Sequence, residues 1–201
     1  MAEKSPLAYQ TLIQSDCMRV LISGGTGYIG GRLAAYLSHA GHQIVLGSRK
    51  LSRSPEWLQG AKMVQTKWND RDQLGYICRD IDVVVHAAGM NAQDCFADPV
   101  AALDFNGVAT ARFVSVAAGA GVKRFIYIST AHVYGSPLVG RISEETRPKN
   151  LHPYATSHLS GEHAVLAAND RCEIQGIVLR LSNAFGAPVT NRVNCWSLLV
   201  N

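Results

Sequence analysis

The sequence predicts an α/β fold in which helices cover both faces of a parallel sheet, and three observations predict it. Apolar runs of strand length recur at 19–23, 43–47, 62–66, 82–87, 124–129 and 174–181, separated by helical stretches; this alternation is what a parallel sheet with crossover helices requires. Between the first two runs, Ile29, Leu33 and Leu37 recur every four residues and mark a helix with one apolar stripe. A glycine-rich turn joins the first run to that helix.

Taken in order, residues 1–17 carry little periodicity and read as a poorly ordered extension. The organised pattern begins at Met18 with Val20-Leu21-Ile22 as the first strand, so residues 18–201 form one domain, as a chain of 201 residues allows. Gly41 stops the first helix. Further helices are expected near 70–79, 99–119 and 153–169, the second of these opening on Pro99, a residue suited to a first helical turn. No internal repeat or low-complexity linker interrupts the pattern.

Composition removes several function classes. The formal charge of +4, from 19 Lys and Arg against 15 Asp and Glu, is spread without a basic block or interleaved aromatics, which argues against nucleic acid as a partner. No apolar run approaches the roughly 20 residues of a membrane span, so no membrane association is expected. Cys17, Cys78, Cys95, Cys172 and Cys195 are widely spaced, odd in number and free of a CxxC pair, so they read as reduced thiols and not as metal ligands. The first residues lack the apolar core of a signal peptide, and the cytoplasm is the expected compartment.

The turn reads Ser23-Gly24-Gly25-Thr26-Gly27-Tyr28-Ile29-Gly30, with Gly24, Gly27 and Gly30 in GxxGxxG spacing between a strand and a helix. Glycine permits the tight turn and lets backbone N–H groups approach a pyrophosphate at the positive end of the helix dipole. A Rossmann-type doubly wound sheet binding a nicotinamide dinucleotide follows, with Gly24, Thr26, Gly27, Tyr28, Ile29 and Gly30 at the cofactor. At the end of the second strand, Ser48-Arg49-Lys50 offers a hydroxyl and two cations where a carboxylate would bind the ribose 2′-hydroxyl of NAD. A 2′-phosphate is the better guest there, so NADP is expected over NAD; a solvated strand end is the other reading of these cations.

From Met18 to about Pro188 the chain resembles the extended short-chain dehydrogenase/reductase family, the NAD-dependent epimerases and dehydratases. Beyond the glycine turn, the resemblance is carried by Asp82-Val83-Val84-Val85-His86-Ala87-Ala88-Gly89, by Asn106, by Ile128-Ser129-Thr130-Ala131-His132-Val133-Tyr134-Gly135, and by Tyr154 with position 158. It implies that Ala87, Ala88, Gly89 and Asn106 lie beside the cofactor, that Thr130 hydrogen-bonds the substrate oxygen, and that Tyr154 transfers the proton. In the family a lysine four residues after that tyrosine lowers the phenol pKa and holds the nicotinamide ribose; this sequence has His158 there. A histidine supplies less positive potential at neutral pH, so the chemistry is expected to be weakened or altered. Tyr154 also reads as an ordinary helix-face aromatic, and His158 as a polar surface residue. His86 reads as structural. Arg180 and Asn183 match the segment facing a nucleotide-sugar substrate, whereas Phe185 and Ala187 replace the family's Tyr and Pro. Lys67 stands where the family commonly has an Asp for the adenine amino group.

Family members continue for a hundred or more residues, so this chain, ending in an apolar run at 197–201, reads as cut short with its substrate lobe largely absent. The leading reading is an NAD(P)-dependent epimerase, dehydratase or reductase acting on a nucleotide sugar or similar small molecule, in a family where homodimers through paired helices are common. The alternatives are a catalytically quiet dinucleotide-binding module, acting as sensor or scaffold, and a fragment with no function of its own.

Overall fold

The computed structural model describes residues 17–190; Cys195, the run at 197–201 and all but the last residue of the expected N-terminal extension lie outside the described residues. Six strands form one all-parallel sheet: β1 (Arg19–Ser23), β2 (Gln43–Ser48), β3 (Lys62–Gln65), β4 (Val83–His86), β5 (Arg124–Thr130) and β6 (Gln175–Leu181), in the order β3-β2-β1-β4-β5-β6. The register sets Ser23 beside Gly47 on one side and beside His86 on the other. The chain therefore winds outward in both directions from β1 and β4, and a crevice opens at their carboxyl ends.

Successive side chains of a strand point to opposite faces, and both faces are packed. Leu21, Val45, Val84, Phe125 and Tyr127 meet Leu74, Phe113, Val114 and Val165 on one face. Val20, Ile22, Ile44, Leu46, Val83 and Val85 meet Ala34, Leu33, Leu37 and Leu58 on the other. The helices are α1 (Tyr28–His39), α2 (Arg71–Ile77), α3 (Ala92–Ala97), α4 (Pro99–Ala102), α5 (Thr110–Gly119) and α6 (Pro153–Asp170).

In α1 the deepest positions are Gly30, Gly31 and Ala34, with Leu33 and Leu37 beside them, so the buried line is displaced from the expected Ile29-Leu33-Leu37 stripe. Small residues let this helix lie close to the sheet at its N-terminal end. Gly41 ends it as expected: with φ of 90°, it donates to the Ser38 carbonyl while His42 donates to that of Leu37. Cys172, at φ 56°, closes α6 with the same pair of bonds, to Asn169 and from Glu173 to Ala168.

Two features depart from the sequence reading. The short helix α3 was not expected; Asn91 caps it by accepting from the Asp94 N–H at 2.9 Å. The helix expected at 99–119 is continuous but carries a π-helical turn at Leu103–Ala109 between α4 and α5. The run Pro99–Gly119, 21 residues, is long and apolar enough to cross a membrane by length and composition, contrary to the sequence reading; in the fold Ala102, Ala109, Phe113, Val114 and Ala117 are buried. The π turn packs on α6 through two glycines: a Cβ at Gly107 would lie 2.9 Å from Ser160 Oγ, and one at Gly161 would lie 2.5 Å from the Asn106 carbonyl oxygen.

Candidate active site at the carboxyl ends of the strands

The glycine turn is built by close backbone approach. Gly24 has φ of 68°, and a Cβ there would lie 2.8 Å from Ala88 N and 2.9 Å from the Ala87 carbonyl carbon. A Cβ at Gly30 would collide with the Gly24 carbonyl, whereas one at Gly27 would meet only that carbonyl oxygen, at 3.2 Å. Gly27 is the N-cap of α1, which has no side-chain cap and no acid in its first turn, leaving its positive end open to an anion. Thr26 is exposed, Ile29 half-buried, and Tyr28 donates its phenol to the Gly186 carbonyl at 2.8 Å. Arg32, one turn further along α1, donates to the Ala187 carbonyl at 3.0 Å, so the segment after β6 is held against the start of this helix.

At the far end of the crevice Ser48 is half-buried, and Arg49 and Lys67 are exposed at the ends of the adjacent strands β2 and β3. Across the switch point, Ala87 N–H donates to the Ser23 carbonyl at 3.1 Å and Ala88 N–H to Ser23 Oγ at 3.4 Å, which positions Gly89 beyond them.

Thr130, at the end of β5, and Tyr154, in the first turn of α6, are brought together closely enough for the Thr130 hydroxyl to act on the Tyr154 phenol. His152 N-caps α6, its Nδ1 accepting from Tyr154 N–H at 3.2 Å. Burial raises the Tyr154 pKa, and the Thr130 hydroxyl lowers it in part. His158 follows one turn later, its ring edge-on to Tyr154 with centroids 4.6 Å apart. It is 5% exposed, unlike the surface residue of the alternative reading, and burial lowers its pKa to about 4. The imidazole is neutral at pH 7, so no positive charge here offsets the rise at Tyr154.

Asn106 and Arg180 sit among protein partners. Asn106 is 1% exposed; its Oδ1 accepts from Met90 N–H at 2.9 Å and its Nδ2 donates to Ser157 Oγ at 3.0 Å, so it pins the loop after β4 to α6. Arg180 donates to Glu162 through Nε at 3.0 Å and Nη2 at 2.6 Å, and to Tyr134 through Nη1 at 2.6 Å. Asn183 is exposed in the segment after β6.

Sequence reasoning missed Glu162, which is fully buried and also accepts from Ser129, the neighbour of Thr130. His86, read from the sequence as structural, is buried: it lies between Ser23 Oγ, 2.6 Å from Nδ1, and Thr110 Oγ1, 3.0 Å from Nε2. Rings of Trp68, Phe113, Phe125 and Tyr127 surround it. That apolar shell lowers its pKa to about 3, with His158 a smaller second cause.

The model of the NAD dependent epimerase/dehydratase family matches residues 20–195. The chain belongs to this family. It is 26% identical over 180 residues to the UDP-glucose 4-epimerase of Rhizobium leguminosarum bv. trifolii, covering 88% of this chain and 55% of that one. It is 31% identical over 176 residues to the dTDP-6-deoxy-L-talose 4-dehydrogenase (NAD(P)(+)) of Kitasatospora kifunensis, covering 84% and 53%. The chain thus spans about half the length of these curated relatives. The Thermus thermophilus UDP-glucose 4-epimerase, solved in complex with NAD, has the same fold, with a TM-score of 0.77 at 23% identity over 89% of this chain and 58% of that one.

The two buried imidazoles make stability pH-dependent. Their folded-state pKa values lie below the 6.5 of a free histidine. As pH falls through 6.5 the unfolded chain takes up protons that the folded chain refuses until about 4 at His158 and about 3 at His86. Stability is therefore full above that value and lost below it, at up to about 1.4 kcal/mol per pH unit for each histidine. Urea denaturation followed from neutral to mildly acidic pH should show this decline, and His158→Gln should make it markedly shallower. A slope unaltered in the variant would mean that His158 is not held neutral by the fold.

Proposed function

We propose that this chain is the dinucleotide-binding part of an NAD(P)-dependent enzyme that oxidises or reduces a carbon–oxygen centre of a nucleotide sugar. The observation that carries the reading is the Thr130–Tyr154 pair brought together at the same crevice as an uncapped glycine-rich helix start. The names of the relatives support the substrate class, and the NAD of the Thermus structure supports the cofactor class.

Gly24, Gly27 and Gly30 would receive the pyrophosphate, and Ser48 with Arg49 the adenosine ribose. Bound there, the dinucleotide would supply the hydride donor or acceptor. Thr130 holds the substrate oxygen, and Tyr154 moves a proton at its phenolic oxygen. A phenol with a raised pKa is protonated at neutral pH, so it gives a proton to a carbonyl more readily than it takes one from an alcohol. Dehydration needs a further acid and base, and the segment Ser129-Thr130-Ala131-His132-Val133 holds no carboxylate. Reduction of a ketone therefore fits better than dehydration or epimerisation. The neutral His158 also favours a second reading, a module that binds cofactor without turnover.

We extend the proposal to NADP over NAD, since Ser48-Arg49-Lys50 at the end of β2 offers a hydroxyl and two cations and contains no acid. A homodimer through the 99–119 helical run and α6 is part of the same reading, supported by exposed Val100, Leu103, Val108 and Leu166.

Cofactor titration tests the binding reading. Gly27→Val should abolish NADPH binding with little change in thermal stability, because its Cβ meets only one protein atom; Arg49→Ala should narrow the gap between NADPH and NADH. Equal affinities of Gly27→Val and the parent would sink the assignment. Turnover tests the chemistry, with nucleotide-sugar ketones as substrates and a chain extended to the relatives' length: Tyr154→Phe should abolish it and His158→Lys should raise it several-fold, one pKa unit at the phenol being about 1.4 kcal/mol. No turnover in any variant that still binds NADPH makes the binding module the better reading. Sedimentation should show a dimer that Val100→Glu converts to monomer, and a monomeric parent would remove that proposal.

A further inference from the structure

We propose that Tyr127 is a positioning residue: its phenol donates to Nδ1 of His158, holds the imidazole in its Nε2–H form, and so presents Nε2–H to an oxygen acceptor on the nicotinamide-riboside half of a bound dinucleotide. The second half of this inference rests on the dinucleotide-binding reading above.

Tyr127 lies on β5 beneath α6, 1% exposed, with its hydroxyl 2.9 Å from His158 Nδ1 and the two rings stacked at 5.8 Å. Gly161 makes room for this hydroxyl, since a Cβ there would lie 3.0 Å from it. The opposite edge of the imidazole faces Gly89, with Cε1 and Nε2 at 3.5 and 3.6 Å from where a Cβ on that glycine would stand. Nε2 is therefore turned toward the loop that borders the crevice.

The proton positions follow from satisfying every buried group. Both histidines are neutral, so each ring carries one proton. His86 is hydrogen-bonded to Ser23 and Thr110, Tyr127 to His158, and Thr110 acts on the Tyr127 phenol, lowering its pKa in part, so these five residues follow one another through the interior. If Ser23 donates to His86 Nδ1, then His86 Nε2–H donates to Thr110, Thr110 to Tyr127, and Tyr127 to His158 Nδ1, leaving Nε2–H at the crevice. Ser23 Oγ in that arrangement accepts the Ala88 N–H, and every hydroxyl both donates and accepts. Reversing the chain gives Ser23 Oγ two donors and leaves its own proton, in a fully buried residue, in need of another acceptor. The other acceptor for the Tyr127 proton, the Asn106 carbonyl, is farther away at 3.4 Å.

Long-range proton–nitrogen NMR correlations on the histidine-labelled chain at neutral pH, without cofactor, report which ring nitrogen of His158 is protonated. The parent should show Nε2–H, and Tyr127→Phe, which keeps the ring, should shift the population toward Nδ1–H. That variant should bind NADPH about fivefold more weakly, the worth of one hydrogen bond, and bind ADP, which lacks the nicotinamide riboside, as tightly as the parent. In a His158→Gln background, which has no tautomer to set, adding Tyr127→Phe should cause no further loss of NADPH affinity. Nδ1–H in the parent, or equal losses for NADPH and ADP in Tyr127→Phe, would overturn the proposal. A parent that binds neither nucleotide would remove the dinucleotide reading and with it the acceptor, while the cofactor-free spectra would still decide whether Tyr127 sets the tautomer.

Discussion

Backbone lies against backbone at the centre of this molecule, and the site depends on that approach. β1 and β4 are neighbours whose chains leave in opposite directions, so the width of the crevice between them is set by how near the glycine turn comes to the Ala87–Ala88 peptides. With a Cβ at Gly24 only 2.8 Å from Ala88 N, no side chain fits at that distance. The same approach puts Ser23 Oγ within reach of both Ala88 N–H and His86 Nδ1. The glycine turn, the position of Gly89 and the burial of His86 against Ser23 are thus consequences of one contact.

His158 separates two duties that the family resemblance assigns to a lysine. A lysine at this position supplies charge to the phenol and a donor to the cofactor. A neutral imidazole in an apolar shell loses the charge, because burial lowers its pKa. It keeps a donor only if its proton sits on the correct nitrogen, and an imidazole, unlike an ammonium, can place it on the wrong one. Replacing lysine by histidine therefore creates a need for a second residue that fixes the tautomer, and Tyr127 is placed to meet it. On the proposal above, this arrangement would keep positioning and lose acid–base power, which is why the two readings of function differ in turnover and not in binding.

Much of the fold was legible because both of its periods are strong. Strand starts and ends agree with the apolar runs to within a residue or two, since strands buried on both faces leave little room for polar residues. The glycine turn was legible through motif spacing, and Thr130 and Tyr154 through the family resemblance. What could not be read was whatever depends on distant chain segments meeting. Glu162 looks like one more helix-surface acid until Arg180, on β6, is placed against it. Asn106 matched a family position, but its amide proves to be held between Met90 and Ser157, which only the packing of the π turn on α6 reveals. The π turn itself has no signal in a helical period, although Gly107 and Gly161 record the close approach it makes.

The Glu162–Arg180 pair shows how the substrate side is held in shape. Burying a carboxylate is costly, and an ion pair regains that cost only when its geometry and remaining hydrogen bonds are good. Here Glu162 accepts from two guanidinium nitrogens and from Ser129, and Arg180 extends to Tyr134, over whose ring it also lies at 4.9 Å. The pair thus ties α6, β5 and β6 together immediately beside Thr130. Removing Arg180 would strand the buried Glu162 carboxylate, so the pair's value is in fixing one arrangement rather than in net stability. Because β6 is held at Arg180, the chain leaves the sheet on a set course and reaches Tyr28 and Arg32, which grip the carbonyls of Gly186 and Ala187. One buried carboxylate therefore links the position of the Thr130 hydroxyl to the path of the segment that closes over the start of α1.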